Sequence, residues 1–423
     1  MAFTSHTSAF SRVTGLAERR QLHAAFAWLH NNPKTIMDWQ RDLCAIPAPP
    51  FGEEARMEWL KARFLEAGLS DVQTDDIGNV FGFLPAAGLP AESSGPLIVL
   101  SAHLDTVFPA DTPLHPVVTE ADGYAHLAAP GASDNGAGLA GMLAIVHCLI
   151  QARVELAAPL LVLGNVGEEG EGDLRGMRHF YNQRALASRV AAHIVLDGAG
   201  SDSAVTQALG SRRFRVAVTG PGGHSFTDAG TPNPIAALAS ALVTLAQTPL
   251  PDEPRTTLNL GTILGGTSVN SIPENATASI DFRSTSSDEL VRLEVALHRA
   301  VEDSVEQWNK LAASVPGRSR GPLSFRIDKI GDRPAAQLPL DSPLLDALRA
   351  VDRHLGLRTD FCLGSTDANI PLALGLQALS MGAGGEGGGA HTAAEWYTDR
   401  DRDLGLRRVL LLVLAMTEWA ADQ

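Results

Sequence analysis

The 423-residue sequence has few cysteines, no long hydrophobic run and no excess of positive charge. Its three cysteines, Cys44, Cys148 and Cys362, are widely spaced and form no CxxC pair. We therefore expect reduced thiols rather than a disulfide framework or a thiolate metal site. The longest strongly apolar run, 409–416, is far shorter than a membrane span. These absences argue against disulfide-rich and membrane-spanning proteins.

The lack of excess positive charge, of a secretory signal and of a GxSxG string argues against further classes of protein. Lys and Arg total 33 against 48 Asp and Glu, a formal charge of −15, whereas nucleic-acid binding requires a basic surface. The first twenty residues are polar with no apolar core behind them, so we expect no secretory signal and a cytoplasmic protein. No GxSxG string occurs, which argues against a serine hydrolase with a nucleophile elbow.

Short apolar runs alternate with amphipathic helices in the first half of the chain. The runs Pro96–Ser101, Pro159–Val166 and His193–Leu196 are typical of strands buried on both faces. Residues 135–152 carry apolar side chains every three or four residues, as a helix does. The pattern predicts an α/β domain with a mixed, mostly parallel sheet flanked by helices.

The pattern changes after about residue 210. Strands that alternate apolar and polar residues follow in the order strand, helix, strand, strand, helix, strand, which is the split βαβ arrangement of an α+β (ferredoxin-like) domain. A Gly-, Pro- and Arg-rich segment, Ser314–Pro322, reads as a return linker. We predict a first domain in two parts, 1–208 and 321–423, interrupted by an inserted domain at 209–320.

Acidic residues follow each of the three buried strands, and a histidine accompanies the first of them. His103 and Asp105 follow the first, Glu168 and Glu169 the second, and Asp197 the third. Ligands of open α/β sheets gather at the carboxyl ends of the strands, and a carboxylate two residues from a histidine can orient its imidazole for a metal. Taken singly, each is also compatible with a solvated turn or an acidic loop.

Asp134 and His391 complete the candidate set. Asp134 lies directly before a predicted helix, where it could be an N-cap, but nearby glycines also allow a close approach to metal ions. His391 follows the glycine-rich segment 382–389, which is suited to a loop around a ligand. Two histidines with several carboxylates suit zinc, cobalt or manganese. A two-metal site explains why there are more carboxylates than one tetrahedral ion needs.

Seven strings, in this order, resemble the di-zinc co-catalytic exopeptidases: SAHLDTV, GASDNGAG, GNVGEEG, VLDG, GPGGHS, VNSIPENATASIDFR and GAHT. That family includes tripeptide aminopeptidase (peptidase T), glutamate carboxypeptidase, aminoacylase and succinyl-diaminopimelate desuccinylase. The resemblance spans about residues 46–392. It implies two Zn²⁺ per chain, with Co²⁺ or Mn²⁺ as alternatives, and a homodimer formed through the inserted domain.

The resemblance also implies roles for individual residues. His103 and Asp197 correspond to the ligands of one zinc, Glu169 and His391 to those of the other, and Asp134 to the bridge. Asp105 corresponds to the carboxylate that orients His103, and Glu168 to the general base on a bridging water.

In the inserted domain, three further residues match family positions. His224 corresponds to a histidine that reaches the neighbouring subunit and polarises the scissile carbonyl. Arg283 and Asn270 correspond to residues that receive the substrate's carboxylate or backbone.

The sequence indicates the substrate less clearly than it indicates the metal-dependent hydrolysis. Asp197, where the family's deacylases and glutamate carboxypeptidases usually carry Glu, and the string Ser365-Thr366-Asp367 resemble the aminopeptidase side. The string following Glu168-Glu169 departs from true tripeptidases. We expect an aminopeptidase or tri- or dipeptidase acting on small peptides. The alternatives are an N-acyl-amino-acid deacylase, a carboxypeptidase, or a non-catalytic binding protein on the same fold.

Overall fold

The computed structural model describes residues 2–88, 95–314 and 320–423, with side chains from residue 9 onward. The chain divides into two compact units. The large unit comprises Met1–Ala208 and Gln337–Gln423, and the inserted unit comprises Leu209–Ala336. Part of the predicted return linker, residues 315–319, lies outside the described residues.

The helices, in chain order, are α1 (Ala2–Ala17), α2 (Arg20–Asn31), α3 (Pro33–Cys44), α4 (Glu54–Ala67), α5 (Gly136–Gln151), α6 (Arg175–Asn182), α7 (Arg184–Ala187), α8 (Pro234–Ala246), α9 (Ser287–Ala313), α10 (Pro343–Leu355), α11 (Asn369–Ala373) and α12 (Arg402–Ala421). A short 3₁₀ turn covers Gly170–Gly172.

The strands of the large unit are β1 (Ser70–Thr74), β2 (Val80–Leu84), β3 (Leu97–His103), β4 (Val117–Ala121), β5 (Tyr124–Ala128), β6 (Leu160–Asn165), β7 (Val190–Leu196) and β8 (Ser203–Ala208). Those of the inserted unit are β9 (Gly210–Thr219), β10 (Gly223–His224), β11 (Thr256–Gly265), β12 (Ser271–Ile272), β13 (Asn275–Ser284) and β14 (Ser324–Arg333). After β15 (Ala336–Gln337), the large unit continues with β16 (Asp360–Gly364), β17 (Gln377–Met381), β18 (Glu386–Gly388) and β19 (Trp396–Thr398).

A nine-stranded mixed sheet forms the centre of the large unit. Its order is β1-β2-β6-β3-β7-β17-β8-β15, with β16 paired to β8. The four neighbours β6, β3, β7 and β17 are parallel, whereas β1, β2 and the pairing of β17 with β8 are antiparallel. The predicted mixed, mostly parallel sheet is confirmed.

Apolar side chains cover both faces of this sheet. All residues of β3 and β6 are buried, as expected for central parallel strands. Helices α5 and α12 pack against β3. Alternate residues of β3, including Leu97 and Val99, join a cluster with Met177 and Phe180 of α6. Helices therefore cover both faces of the sheet at its central strands.

A second, four-stranded antiparallel sheet of the large unit has the order β18-β19-β5-β4. The sequence analysis treated the glycine-rich segment 382–389 as a loop, but residues Glu386–Gly388 form the strand β18. A Cβ on Gly387 would lie 2.5 Å from Ser133 Oγ. Glycine is needed here for close packing of backbone against the segment that carries Asp134.

The inserted unit has the predicted ferredoxin-like arrangement. Its four-stranded antiparallel sheet has the order β11-β13-β9-β14, and the chain runs β9, α8, β11, β13, α9, β14 apart from the short pair β10–β12. Helices α8 and α9 contribute apolar residues such as Leu238 and Leu297 to a core shared with Phe214 and Phe282 of the sheet.

The inserted unit extends beyond the predicted boundary at residue 320. It ends at Ala336 because β14 pairs with β9 along nearly its whole length, from Ser324 opposite Thr219 to Arg333 opposite Ser211. The second part of the large unit therefore begins at Gln337 rather than at 321.

Local signals in the sequence explain where several helices begin and end. Asn233 and Ser342 accept backbone N–H bonds as N-caps, each followed by a proline in the first turn, a favoured combination. Gly68 ends α4 in the left-handed conformation at φ 93°, which glycine adopts without steric cost. Across the described residues, no helix is both long and apolar enough to cross a membrane.

Candidate metal centre

The carboxyl edge of the parallel strands carries the predicted ligands of the large unit. His103 is the last residue of β3, and Asp197 directly follows β7. Glu168 and Glu169 follow β6, and β17 leads into the glycine-rich segment that ends at His391. Because these four strands are parallel, their carboxyl ends meet at one edge of the sheet.

Asp134 is not the N-cap of α5. That position belongs to Asn135, whose Oδ1 accepts the N–H of Gly138 at 3.1 Å. Asn135 also receives the N–H of Gly198 and donates to the carbonyl of Leu196, so it ties the start of α5 to the residues on both sides of Asp197. The carboxylate of Asp134 is consequently available to neighbouring side chains.

One carboxylate lies between two imidazoles. Asp134 Oδ1 is 3.1 Å from His103 Nε2, and Asp134 Oδ2 is 3.0 Å from His391 Nε2. Asp197 Oδ1 lies 3.7 Å from the first imidazole nitrogen, and Glu169 Oε1 lies 3.2 Å from the second. The five side chains thus form two histidine–carboxylate pairs that share Asp134.

Asp105 contacts both His103 and the acidic pair. Its carboxylate is 3.7 Å from His103 Nδ1, whereas its carbonyl oxygen is only 3.0 Å from that nitrogen. The closer partner that orients the imidazole is therefore the backbone of Asp105. Its carboxylate instead accepts the backbone N–H groups of Glu168 and Glu169, at 3.0 and 2.7 Å, and holds the turn that carries the acidic pair.

Burial and close charges shift several pKa values at this edge. Burial raises the pKa of Glu169 to about 7, although the nearby imidazoles oppose this. The hydrogen bond to Asp134 raises the pKa of His391 to about 9. Burial lowers the pKa of His103, but bonds to Asp105, Asp134 and Asp197 outweigh it and raise that pKa well above its ordinary value. These shifts show that carboxylates and imidazoles are packed closely enough here to share protons or to bind a cation.

The residues fit a divalent cation. One ligand atom each from His103, Asp134 and Glu169 lies within 4.8 Å of the other two. Asp134 Oδ1 is buried and has no partner with acceptable hydrogen-bond geometry among the described residues, which is costly unless a ligand satisfies it. Imidazole nitrogens with carboxylate oxygens are the donor set of zinc and similar metals.

His391 adopts an uncommon backbone conformation. Its φ is 66°, in the left-handed region that non-glycine residues seldom occupy. Such conformations persist where surrounding contacts hold them, often at functional sites. The side chain is more than half exposed, so the second histidine–carboxylate pair opens towards solvent.

The three remaining predicted residues belong to the inserted unit and do not cluster there. His224 pairs with Ser271 in the β10–β12 ladder, and the Ser225 N–H donates to the Asn270 carbonyl. Arg283 lies near the far end of β13, opposite Ser211, where its Nε donates to Asp281 at 2.8 Å. Eight residues of strand separate Arg283 from Asn275, about 26 Å at 3.3 Å per residue.

The sequence analysis missed two residues that shape this centre. Asn135 and Glu395 are both fully or almost fully buried. Glu395 accepts the backbone N–H groups of Gly131, Ser133 and Asp134. A polar residue next to a ligand and a glutamate four residues beyond His391 were the available signals.

The sequence of this chain matches a known protein family. The sequence profile of peptidase family M20/M25/M40 matches residues 99–415, about three quarters of the chain. The chain belongs to this family. The predicted family resemblance and the predicted hydrolase class are thereby confirmed.

Individual members of family M20/M25/M40 show both sequence and fold similarity. A probable carboxypeptidase of Talaromyces marneffei is 27% identical over 272 residues, covering 57% of this chain and 58% of the relative, less than two thirds of that protein. A tripeptidase from Staphylococcus aureus is similar in structure, with a TM-score of 0.67, 21% identity and 93% and 99% coverage. A dinuclear metal-binding M20 peptidase of Bacillus subtilis is also similar in structure, with a TM-score of 0.60 and 16% sequence identity; the match covers 93% of this chain and 99% of that protein. The structural likenesses show a common fold.

Proposed function

We propose that this protein is a two-metal exopeptidase that cleaves short peptides with both termini free. The observation that carries the proposal is the position of Asp134, with one carboxylate oxygen within 3.1 Å of each of two imidazoles. Asp197 and Glu169 then complete the two ligand sets. The Bacillus subtilis relative, described as dinuclear, supports this proposal. Zinc suits the donor set, and cobalt or manganese are alternatives.

Held by these residues, two divalent ions would supply Lewis-acid chemistry that polarises a scissile carbonyl and lowers the pKa of water. In our proposal, Glu168 takes the proton from the attacking water and returns it to the leaving amine. It is buried, and its backbone is fixed by Asp105. Its neighbour Glu169 is a ligand in this proposal. Glu169 has an extended backbone, with φ −81° and ψ 146°, and adjacent side chains in extended backbone project to opposite sides. The pair can therefore divide the roles of base and ligand.

Substrate preference is proposed from the shorter side chain at Asp197. One methylene less than glutamate leaves room for a free α-amino group, and Asp197 or Asp134 provides an opposite charge. This favours aminopeptidase or dipeptidase activity. The probable carboxypeptidase among the relatives favours release from the other end, so carboxypeptidase is our second candidate. A deacylase uses the same water and base.

A panel of blocked substrates separates these activities. Zinc-loaded protein is assayed with a free dipeptide, its N-acetyl derivative and its C-amide. We expect N-acetylation to lower kcat/KM strongly, where each tenfold loss corresponds to about 1.4 kcal/mol of transition-state stabilisation. We expect C-amidation to lower kcat/KM less. The opposite order identifies a carboxypeptidase. Faster turnover of N-acetyl amino acids than of dipeptides identifies a deacylase.

The roles of the acidic pair are tested with E168A and E169A. We expect E168A to lose turnover but to retain two zinc ions per chain by elemental analysis, because a general base is not a ligand. E169A should lose metal. Equal metal loss in the two variants contradicts the proposed division of roles.

We also propose a homodimer formed through the inserted unit. Strand β11 is an edge strand, and its Ile263 and Leu264 are 54% and 70% exposed, as a strand that pairs with a second copy would be. Arg283 lies about 26 Å along β13 from Asn275, and a tripeptide spans about 10 Å, so we do not expect one peptide to contact both His224 and Arg283 of one inserted unit. We propose that His224 and Asn270 act at the metal centre of the partner chain.

A further inference from the structure

Glu395 is a buried carboxylate for which the proposed reaction has no use. It is 1% exposed and lies at the end of the loop that begins with His391. Its Oε1 accepts the backbone N–H groups of Ser133 and Asp134 at 2.8 and 2.7 Å, and its Oε2 accepts that of Gly131 at 2.9 Å. A buried charge is tolerated only when it is fully hydrogen-bonded in this way.

The same residue also joins the two segments through its backbone. The N–H of Ala129 donates to the Glu395 carbonyl at 3.1 Å, and the Glu395 N–H donates to Thr392. The segment carrying Asp134 and the segment carrying His391 are thus fastened together within a few residues of both side chains. Asp134 Oδ2 and His391 Nε2 meet at 3.0 Å across this junction.

Asp105 makes a parallel arrangement on the other side of the centre. It too is a buried carboxylate whose oxygens accept consecutive backbone N–H groups, those of Glu168 and Glu169. In both cases the carboxylate fixes the backbone of a ligand-bearing turn. Charge-assisted bonds to backbone N–H groups are among the stronger hydrogen bonds in proteins.

We propose that Glu395 is a positioning residue that fixes the bridging Asp134 relative to His391, and so sets the affinity for the second metal ion. This inference rests on the proposed two-metal function. Removal of the carboxylate frees the backbone of Gly131–Asp134, and the bridge then no longer meets both histidines at once. Outer-shell partners of metal ligands typically contribute a factor of 10 to 100 in metal affinity or activity.

The test is a Co²⁺ titration of metal-free protein, followed by the visible absorption of the bound ion. The variants are E395Q, E395A and the control D399N. Asp399 is a mostly buried carboxylate that directly follows β19, as Glu395 directly precedes it. It accepts the N–H of Ala125 at 2.8 Å and a bond from Arg402 at 3.4 Å, and among the described residues it contacts no proposed ligand. Gln keeps one acceptor oxygen and the volume of Glu, so E395Q is the variant chosen to retain the fold.

We expect wild type and D399N each to bind two Co²⁺ ions, and the affinity of D399N at each site to be within about twofold of the wild-type affinity. E395Q should bind the second ion about 10- to 100-fold more weakly and show a changed absorption spectrum, with a lower kcat and a nearly unchanged KM. E395A should show a larger effect if it folds. Unchanged second-site affinity and spectrum in folded E395Q overturns the inference. Failure of wild type to bind two ions overturns the proposed function itself.

Discussion

Replacement of Asp105 by asparagine tests whether the turn of the acidic pair must be held by a carboxylate. Asp105 is fully buried, and each of its oxygens accepts one backbone N–H, from Glu168 at 3.0 Å and Glu169 at 2.7 Å. Asparagine has one acceptor oxygen and an NH₂ group. One backbone N–H must therefore face a second donor, at a cost of about 1–3 kcal/mol in stability.

The effect on catalysis should exceed that on folding alone. We expect D105N to lower kcat/KM on the best dipeptide by about 10- to 100-fold, or about 1.4 to 2.7 kcal/mol, since both the base and a ligand lose their support. Thermal unfolding and metal analysis accompany the kinetics. D399N, which loses a similar buried acceptor away from the centre, should keep kcat/KM within about twofold. If D105N loses stability but retains kcat/KM within the range of D399N, the reasoning is refuted.

Three further predictions concern other parts of the molecule. Burial lowers the pKa of His193 from 6.5 to about 3, so this residue binds fewer protons in the native state than in the unfolded state between these pH values. The contribution of His193 to the free energy of unfolding should therefore fall by about 1.6 kcal/mol as pH drops from 6.5 to 5, and the difference in stability between wild type and H193Q in denaturant titrations should change by about that amount. A Cβ on Gly138 would lie 2.7 Å from the Leu196 carbonyl, so G138A should lose about 1–3 kcal/mol by denaturant unfolding. The control G15A, with open space around it in α1, should gain about 0.5–1 kcal/mol. Mixing H224A with E168A should restore about half of one site per dimer, and no recovery after verified subunit exchange contradicts the action of His224 across the interface.

Apolar runs and hydrophobic periodicity in the sequence were sufficient to predict the central helices and strands of both units. The apolar runs of β3, β6 and β7 and the apolar stripe of α9 are local sequence patterns that predict which residues are buried. Since parallel strands end at one edge, the proximity of His103 to the residues after β6 and β7 could also be predicted. The position of His391 depended on family resemblance, because no local pattern shows where a glycine-rich segment will fold back.

The features that were missed depend on contacts between distant parts of the chain. Strands β4, β5, β18 and β19 are short, and β4 is wholly exposed, so they carry no burial pattern. The end of the inserted unit was placed too early, at residue 320, although the predicted order of elements already ended in a strand. The pairing of β14 with β9 shows that this last strand lies inside the unit. The place of Glu395 four residues beyond His391 could not show its role, since its hydrogen-bond partners lie more than 260 residues earlier in the chain.

The strand order of the large sheet has a consequence for how the protein is made. Strand β17 lies between β7 and β8, although about 170 residues of chain, including the whole inserted unit, separate β8 from β17. During synthesis, β7 and β8 therefore leave the ribosome long before the strand that must fit between them. The inserted unit is continuous in sequence and has its own core, so we expect it to fold first. The gap in the sheet closes only when β17 arrives, and long-range pairings of this kind fold slowly. His391 follows β17, so this proposed histidine ligand reaches the metal centre only after β17 has been synthesised.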